Sequence, residues 1–266
     1  MHVTKVTTLS FRDRKAQGEK ITMLTAYDYP TAQLLDDAGV DAILVGDSVG
    51  MALMGYDSTL AVTVEDILHH TRMVSRAATR SMVVADMPFL SYHVSPEDAV
   101  RNAGRFLAEG GAHAVKLEGP MSRVGAALSH ILDAGIPVMG HLGLTPQSVH
   151  QFGGFKVQGR SDEAKAQLKA DAKALEAAGC FAIVLECIPA ELATDISESL
   201  SIPTIGIGAG AGCDGQILVL HDILGWGKAR FAHTFVDVKS AIAQAATDYV
   251  AAVKGGSYPA EEHGYQ

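Results

Sequence analysis

A (β/α)8 barrel is the fold class that this sequence predicts, on three observations. Short apolar runs recur along the 266 residues and alternate with helical segments. The runs are continuous rather than alternating in polarity, as in strands buried on both faces of a parallel sheet. Eight can be counted with no linker or break in composition between them, and strand followed by helix eight times over favours closure into a TIM barrel. A single barrel domain spanning 1–266 is expected.

The elements follow in order. Leu9 to Gln17, with Thr8 as a candidate cap and Gly18 just beyond, reads as a short helix in an N-terminal cap of residues 1–19, placed to cover the bottom of the barrel. Ile21 to Ala26 is the first strand, Pro30 to Asp37 its helix, and Ala42-Ile43-Leu44-Val45 the second strand. A long loop, Val49 to Val62, then precedes a helix from Val64 to Ala78, with Thr63 and Asp66 spaced as a capping box. The strand ending at Asp86 leads to Ser95-Pro96-Glu97-Asp98, where a cap, a first-turn proline and acids open a helix reaching Glu109. After the strand ending at Glu118 comes a helix from Arg123 to Asp133. The strand ending at His141 gives way to a second long loop, Leu142 to Arg160, before Ser161 caps a helix with Ala164, Leu168, Ala172 and Leu175 on one face. The Glu186 strand, a helix from Pro189 to Leu200, strands over Pro203–Gly208 and Gln216–Leu220, a helix over Val238–Val253 and a polar tail over 255–266 complete the chain.

Five of these strands end on residues able to bind a metal or move a proton: Asp47, Asp86, Glu118, His141 and Glu186. In a barrel those ends share one rim, where catalytic groups lie. An aspartate at a strand end commonly caps the next helix, but two aspartates and Glu118 together offer the hard oxygens that Mg2+ prefers. Lys116 lies two residues before Glu118 and so points the same way, one layer lower, either as a buried ion pair with it or as a cation for a carboxylate or keto oxygen. Glu186, flanked by Leu185, Cys187 and Ile188, is a candidate general base, its surroundings partly desolvating it; the alternative is an acid facing solvent. His141 is open to three readings: a ligand, a proton relay or a hydrogen-bonded rim residue.

Other classes fall away. A net charge of -9 argues against nucleic-acid and anionic-membrane partners, and 48% hydrophobic with 19% charged residues is too apolar for a disordered chain. Cys180, Cys187 and Cys213 form no C-x-x-C pair, which argues against a disulfide framework or zinc knuckle and fits a reducing cytoplasm. No run approaches a membrane span and the first twenty residues hold no apolar signal core, so a soluble, unexported protein is expected. Gly210 to Gly215 matches G-x-G-x-x-G, but an apolar strand rather than a helix follows, which rejects a dinucleotide fingerprint.

The ordered set Val45-Gly46-Asp47-Ser48, Asp86-Met87-Pro88-Phe89, Val115-Lys116-Leu117-Glu118, Gly140-His141-Leu142-Gly143-Leu144-Thr145-Pro146-Gln147, Lys156-Val157-Gln158-Gly159-Arg160 and Gly206-Ile207-Gly208-Ala209-Gly210 resembles the ketopantoate hydroxymethyltransferases over nearly the whole chain. The resemblance implies a barrel of the phosphoenolpyruvate/pyruvate type. It also implies an enzyme that transfers a hydroxymethyl group from 5,10-methylenetetrahydrofolate to 3-methyl-2-oxobutanoate through a Mg2+-stabilised enolate, giving 2-dehydropantoate in pantothenate and coenzyme A biosynthesis. Carried over by position, Asp47, Asp86 and Glu118 match the metal site; Asp47, Ser48, Asp86 and Lys116 match the positions around the oxoacid; Glu186 matches the base. A cytoplasmic homo-oligomer, a decamer, is implied as well. The alternatives are a Mg2+-dependent lyase or mutase of the isocitrate lyase and phosphoenolpyruvate mutase type, whose lyase branch carries a Lys-Lys-Cys-Gly-His stretch absent here, and a non-catalytic oxoacid-binding barrel.

Overall fold

Eight parallel strands close on themselves in sequence order, β1-β2-β3-β4-β5-β6-β7-β8, in a computed structural model that describes residues 4–227 and 229–265. The strands are Ile21–Thr25 (β1), Ala42–Val45 (β2), Met82–Asp86 (β3), Ala114–Glu118 (β4), Val138–Gly143 (β5), Ala182–Glu186 (β6), Thr204–Ile207 (β7) and Gly215–Leu218 (β8). Closure is made by β1 pairing with β8, Ile21 opposite Gly215. A side chain at Gly215 would run into the Ile21 carbonyl, so the seam requires glycine there.

The barrel helices are Thr8–Gln17 (α1), Tyr29–Asp37 (α2), Val49–Ala52 (α3), Val64–Ala77 (α4), Pro96–Ala108 (α5), Met121–Asp133 (α6), Val149–Phe152 (α7), Asp162–Ala178 (α8) and Ala190–Ser199 (α9). Their starts are chemically marked: Asp28, Thr63, Ser95 and Ser161 each accept a bond from a first-turn amide, and Thr63 with Asp66 makes the expected capping box. Helix α1 is capped by Thr7 rather than Thr8, because Thr7 and Ser10 form a reciprocal box one residue earlier. Phe11 on α1 is fully buried among Ile21, Met23, Ala42 and Met82, edge-on to Phe181 at 5.7 Å, and so plugs the bottom of the barrel.

Both long loops carry more structure than expected. The first contains α3 and a 3-10 turn, Thr59–Ala61, and it closes tightly: a side chain on Gly50 would meet Val62 at 2.7 Å. The second follows a β5 that continues two residues past His141, because Leu144 donates its amide to the Glu186 carbonyl at 2.9 Å. It then makes a 3-10 turn, Pro146–Ser148, and α7.

The described residues fall into two compact units, one running to Val219 and holding all eight strands, the other beginning at Leu220. The second contains Leu220–Ile223 (α10) and Val238–Gly255 (α11), the latter capped by Asp237, and a 3-10 turn at Glu261–His263 within the stretch read as a tail. No helix among the described residues is long and apolar enough to cross a membrane.

Candidate active site

The C-terminal ends of five neighbouring strands bring Asp47, Ser48, Asp86, Lys116, Glu118, His141 and Glu186 together. Register explains how. Asp86 stands opposite Lys116, Glu118 opposite His141, and Glu186 opposite Gly143, so each step round the wall continues the set. Asp47, Asp86, Lys116, Glu118 and His141 are all buried, although they are among the most polar residues of the chain. Such burial survives only where the groups satisfy one another.

Lys116 is the hub. Its Nζ lies 2.9 Å from Asp86 Oδ1, 3.4 Å from Glu118 Oε1 and 3.1 Å from His141 Nδ1. It is therefore not the exclusive partner of Glu118. Burial alone would lower its pKa, but the carboxylates of Asp86, Glu118 and Asp47 outweigh it and raise the ammonium above its usual value. Asp86 Oδ2 accepts the Asp47 amide at 3.0 Å across two strands, and Asp47 Oδ2 accepts from Gln147 Nε2 at 2.9 Å. Neither aspartate caps a helix: Ser48 is the residue before α3, without a side-chain cap bond. Burial, then the charges of Asp86 and Glu118, push Asp47 well above the usual carboxyl range. Asp86 is raised mainly by burial, with Lys116 opposing. Glu118 goes the other way, to about 2, because Lys116, His141 and the Gln147 amide together exceed the burial penalty.

His141 is placed between two acids, with Nδ1 3.3 Å from Glu118 Oε1 and Nε2 3.2 Å from Glu186 Oε2. Burial and Lys116 pull its pKa down, while Glu118 and Glu186 more than reverse this and bring it up to about 9. The Glu186 side chain is more open than the others, 14% exposed against 2–4% for Asp86, Lys116, Glu118 and His141. The backbone turns sharply just past it, Cys187 adopting a left-handed φ of 48°. Burial and the Glu186 charge push the Cys187 thiol up to about 11, as expected of an inert cysteine.

The donor set fits Mg2+. Asp86 Oδ1 is buried and, despite its ion pair with Lys116, lacks a hydrogen bond in line with it. Asp47 leaves Oδ1 for a further partner, and hard carboxylate oxygens completed by ligand oxygens are what Mg2+ takes. Among the described residues no three acid, histidine or cysteine groups already stand in a metal-holding arrangement. Glu118, matched to the metal site by the resemblance, differs from the two aspartates: both of its oxygens are committed, one to Lys116 and His141 and the other to the Gln147 backbone amide at 3.2 Å, which leaves it behind the metal position rather than on it.

The model of the family described as ketopantoate hydroxymethyltransferase matches residues 5–261. The chain belongs to the ketopantoate hydroxymethyltransferase family. It is 56% identical over 264 residues to the 3-methyl-2-oxobutanoate hydroxymethyltransferase of Syntrophus aciditrophicus, covering 98% of this chain and 97% of that protein. It is 55% identical over 264 residues to the protein of the same name from Syntrophomonas wolfei, covering 98% and 95%. Among solved structures the barrel is similar to phosphoenolpyruvate phosphomutase from Streptomyces platensis, with TM-score 0.65, 14% identity and coverage of 94% of this chain and 88% of that one. It is also similar to phosphonopyruvate hydrolase solved with oxalate and Mg2+, with TM-score 0.64, 12% identity and coverage of 97% and 91%. At these identities the likeness is one of fold alone.

Three members of this family site were not singled out from sequence. Gln147 joins Asp47, Glu118, the Met87 carbonyl at 3.0 Å and Tyr92 in one bonded unit. Tyr92 donates to Gln147 Oε1 at 2.7 Å and accepts the Glu118 amide at 3.2 Å. Tyr27, held by His70 through its carbonyl, shares a 2.8 Å hydrogen bond with Ser48 Oγ and so orients the hydroxyl read as a substrate contact. Tyr92 and Gln147 lie in loops and carry no strand-end signal, whereas Tyr27 stands two residues past β1 as Asp47 does past β2, and only its uncharged side chain kept it from being singled out.

Proposed function

We propose that this chain transfers a hydroxymethyl group from 5,10-methylenetetrahydrofolate to 3-methyl-2-oxobutanoate, giving 2-dehydropantoate for pantothenate and coenzyme A biosynthesis. One observation carries the reading. A buried set of carboxylates around one ammonium, with a glutamate beside a histidine, lies at the barrel mouth of a chain more than half identical to enzymes named for that reaction.

C3 of the oxoacid is acidic because the neighbouring carbonyl takes up the charge left when its proton departs. Bound Mg2+ would supply electrostatic stabilisation of that charge on the keto oxygen. Asp47 and Asp86 are the residues that would hold it, with Glu118 adding negative charge behind them. Lys116 brings a second positive charge to the same oxygens, drawn up between Asp86 and Glu118. Glu186 takes the C3 proton, and His141 Nε2 lies 3.2 Å from its carboxylate as an electrostatic neighbour out of line for a hydrogen bond. Ser48, fixed by Tyr27, bonds the oxoacid carboxylate. The folate's methylene carbon gives up its bonds to N5 and N10, C3 forms the new carbon–carbon bond to it and water supplies its hydroxyl; the proton taken from C3 and the second proton of that water end on the two nitrogens of the departing tetrahydrofolate.

Proton NMR of 3-methyl-2-oxobutanoate in heavy water tests this without folate. Loss of the C3 proton signal should require both protein and Mg2+, and the Glu186→Gln variant should lose exchange while binding Mg2+ and oxoacid within about twofold of wild type. Absence of exchange in wild type would overturn the reading, and full exchange in the variant would remove Glu186 as the base. The reading also places the enzyme in the cytoplasm as a homo-oligomer, a decamer, with no nucleic-acid or membrane partner; sedimentation velocity measures the mass.

A further inference from the structure

The loop that leaves β3 just past Asp86 carries a set of rings that nothing in the acid cluster uses. Phe89 is 37% exposed and His93 lies on the surface, their centroids 6.1 Å apart and their planes inclined at 52°. His93 is backed by Tyr92 at 4.0 Å with 33° between the ring planes, and the Tyr92 hydroxyl is anchored to Gln147 and Glu118. Leu90, with a left-handed φ of 65°, and Val94 extend the apolar rim, 53% and 72% exposed. Such a loop is normally mobile, yet this one is fixed: Ser91 donates to the Pro88 carbonyl at 3.0 Å and Asn102 holds the Ser91 carbonyl at 2.7 Å. A left-handed leucine costs energy that fixed surroundings must hold in place.

Charge adds a second, independent sign. Arg123, at the start of α6, bonds only neutral groups, Ser148 Oγ at 2.7 Å and Gln151 Oε1 at 2.8 Å, and no carboxylate among the described residues pairs with it. It acts on His93, where burial first and Arg123 second hold the imidazole below its usual pKa, with Glu118 opposing. The rings therefore lie within electrostatic reach of an arginine that no carboxylate among the described residues neutralises, and Tyr92 links them to Gln147 and Glu118.

We propose that His93, backed by Tyr92, is the stacking face for the pteridine of the folate co-substrate, with Phe89, inclined at 52° to it, closing against the pteridine edge and Arg123 drawing its anionic tail; this deepens the hydroxymethyl transfer reading and rests on it. A flat heteroaromatic ring with a negatively charged tail matches exposed rings and an uncompensated arginine. The methylene carbon is attached beside the pteridine and must reach C3 of the oxoacid, which requires the platform to adjoin the acids, as it does through Tyr92 and Gln147. Rings held in advance bind with a smaller ordering cost.

Substitution separates the platform from the reaction. Phe89→Ala and His93→Ala should each raise the KM for methylenetetrahydrofolate by about tenfold or more, as loss of one stacking partner does elsewhere. Each should also weaken tetrahydrofolate binding in fluorescence titration. The KM for the oxoacid and the folate-independent C3 exchange rate should stay within about twofold of wild type. His93→Phe, which keeps a ring, should bind folate almost as well as wild type. Arg123→Gln should steepen the loss for polyglutamylated folate over the monoglutamate. Unaltered folate KM in both alanine variants would overturn the proposal. A parallel loss of exchange would reduce the loop to a structural support, and a drop in oligomer mass by sedimentation would assign the rings to a second copy of the chain; either result also overturns it. Absence of exchange in the wild-type protein would instead strike the underlying reaction, so the two failures are distinguishable.

Discussion

Gln147 shows how much one neutral side chain governs here. Its side chain donates to Asp47 and to the Met87 carbonyl and accepts from Tyr92, so its replacement leaves these buried groups without that partner, at about 1–3 kcal/mol each, while its backbone amide still reaches Glu118. Gln147→Leu should weaken Mg2+ binding, measured calorimetrically with the oxoacid present, by about tenfold or more; equal affinity would deny it an orienting role. Asp36 illustrates an acid with a purely architectural task. It accepts amides of Thr79, Arg80 and Ser81 before β3, and bonds from Ser81 and Thr79 outweigh burial, the largest single influence, to bring it to about 2. A depressed carboxyl stabilises the fold fully above its unfolded value of about 3.9, and that stabilisation is lost as pH falls through about 2. Asp36→Asn should cost about 1–2 kcal/mol at neutral pH and flatten the stability decline over that acid window, as denaturant titrations at several pH values would reveal. Sequence position separated this acid from Asp47, one lying in the helix read over Pro30 to Asp37 and the other at a strand end, but it did not disclose the amides that Asp36 collects.

Strand β5 and its neighbour β6 owe their useful geometry to Gly143. Its φ is 93°, and a Cβ there would strike the Glu186 carbonyl and approach Ile188 at 2.8 Å. Gly143→Ala should cost about 2 kcal/mol or more and displace Glu186, so that C3 exchange falls far more steeply than thermal stability. A thermal melt beside the NMR exchange rate checks this, and parallel losses would mean that the glycine serves folding only. Strands were read well from sequence because parallel, doubly buried runs are continuous, and helix starts because caps are chemical signals. Thr63, Ser95 and Ser161 behave as read. The 3-10 turn before α7 and the tight closure at Gly50 were not read, because they depend on contacts with residues distant in sequence or on backbone twist that composition does not record.

The barrel as a whole separates stability from chemistry by its two ends. At the bottom Asp41, 3% exposed, accepts from Thr22 and pairs with Arg14 at 3.0 Å and Arg80 at 2.9 Å, tying α1, β1 and the approach to β3. Asp41→Ala should destabilise the protein by about 3 kcal/mol, because two cations lose a buried partner, while kcat and both KM values hold steady. Altered kinetics would argue that strain travels between the ends. The closed sheet and its polar mouth follow from repetition and strand-end chemistry, whereas the bonds that bind the mouth together come from loops that the repeat does not specify. The register that aligns Asp86 with Lys116, Glu118 with His141 and Gly143 with Glu186 also sets a gradient of wetness, from a dry ammonium to an acid 14% open. With Glu186 as the proposed base, hydrogen taken from C3 would sit where bulk water reaches it, and deuterium placed on the substrate should wash out into solvent instead of returning to the carbon it left.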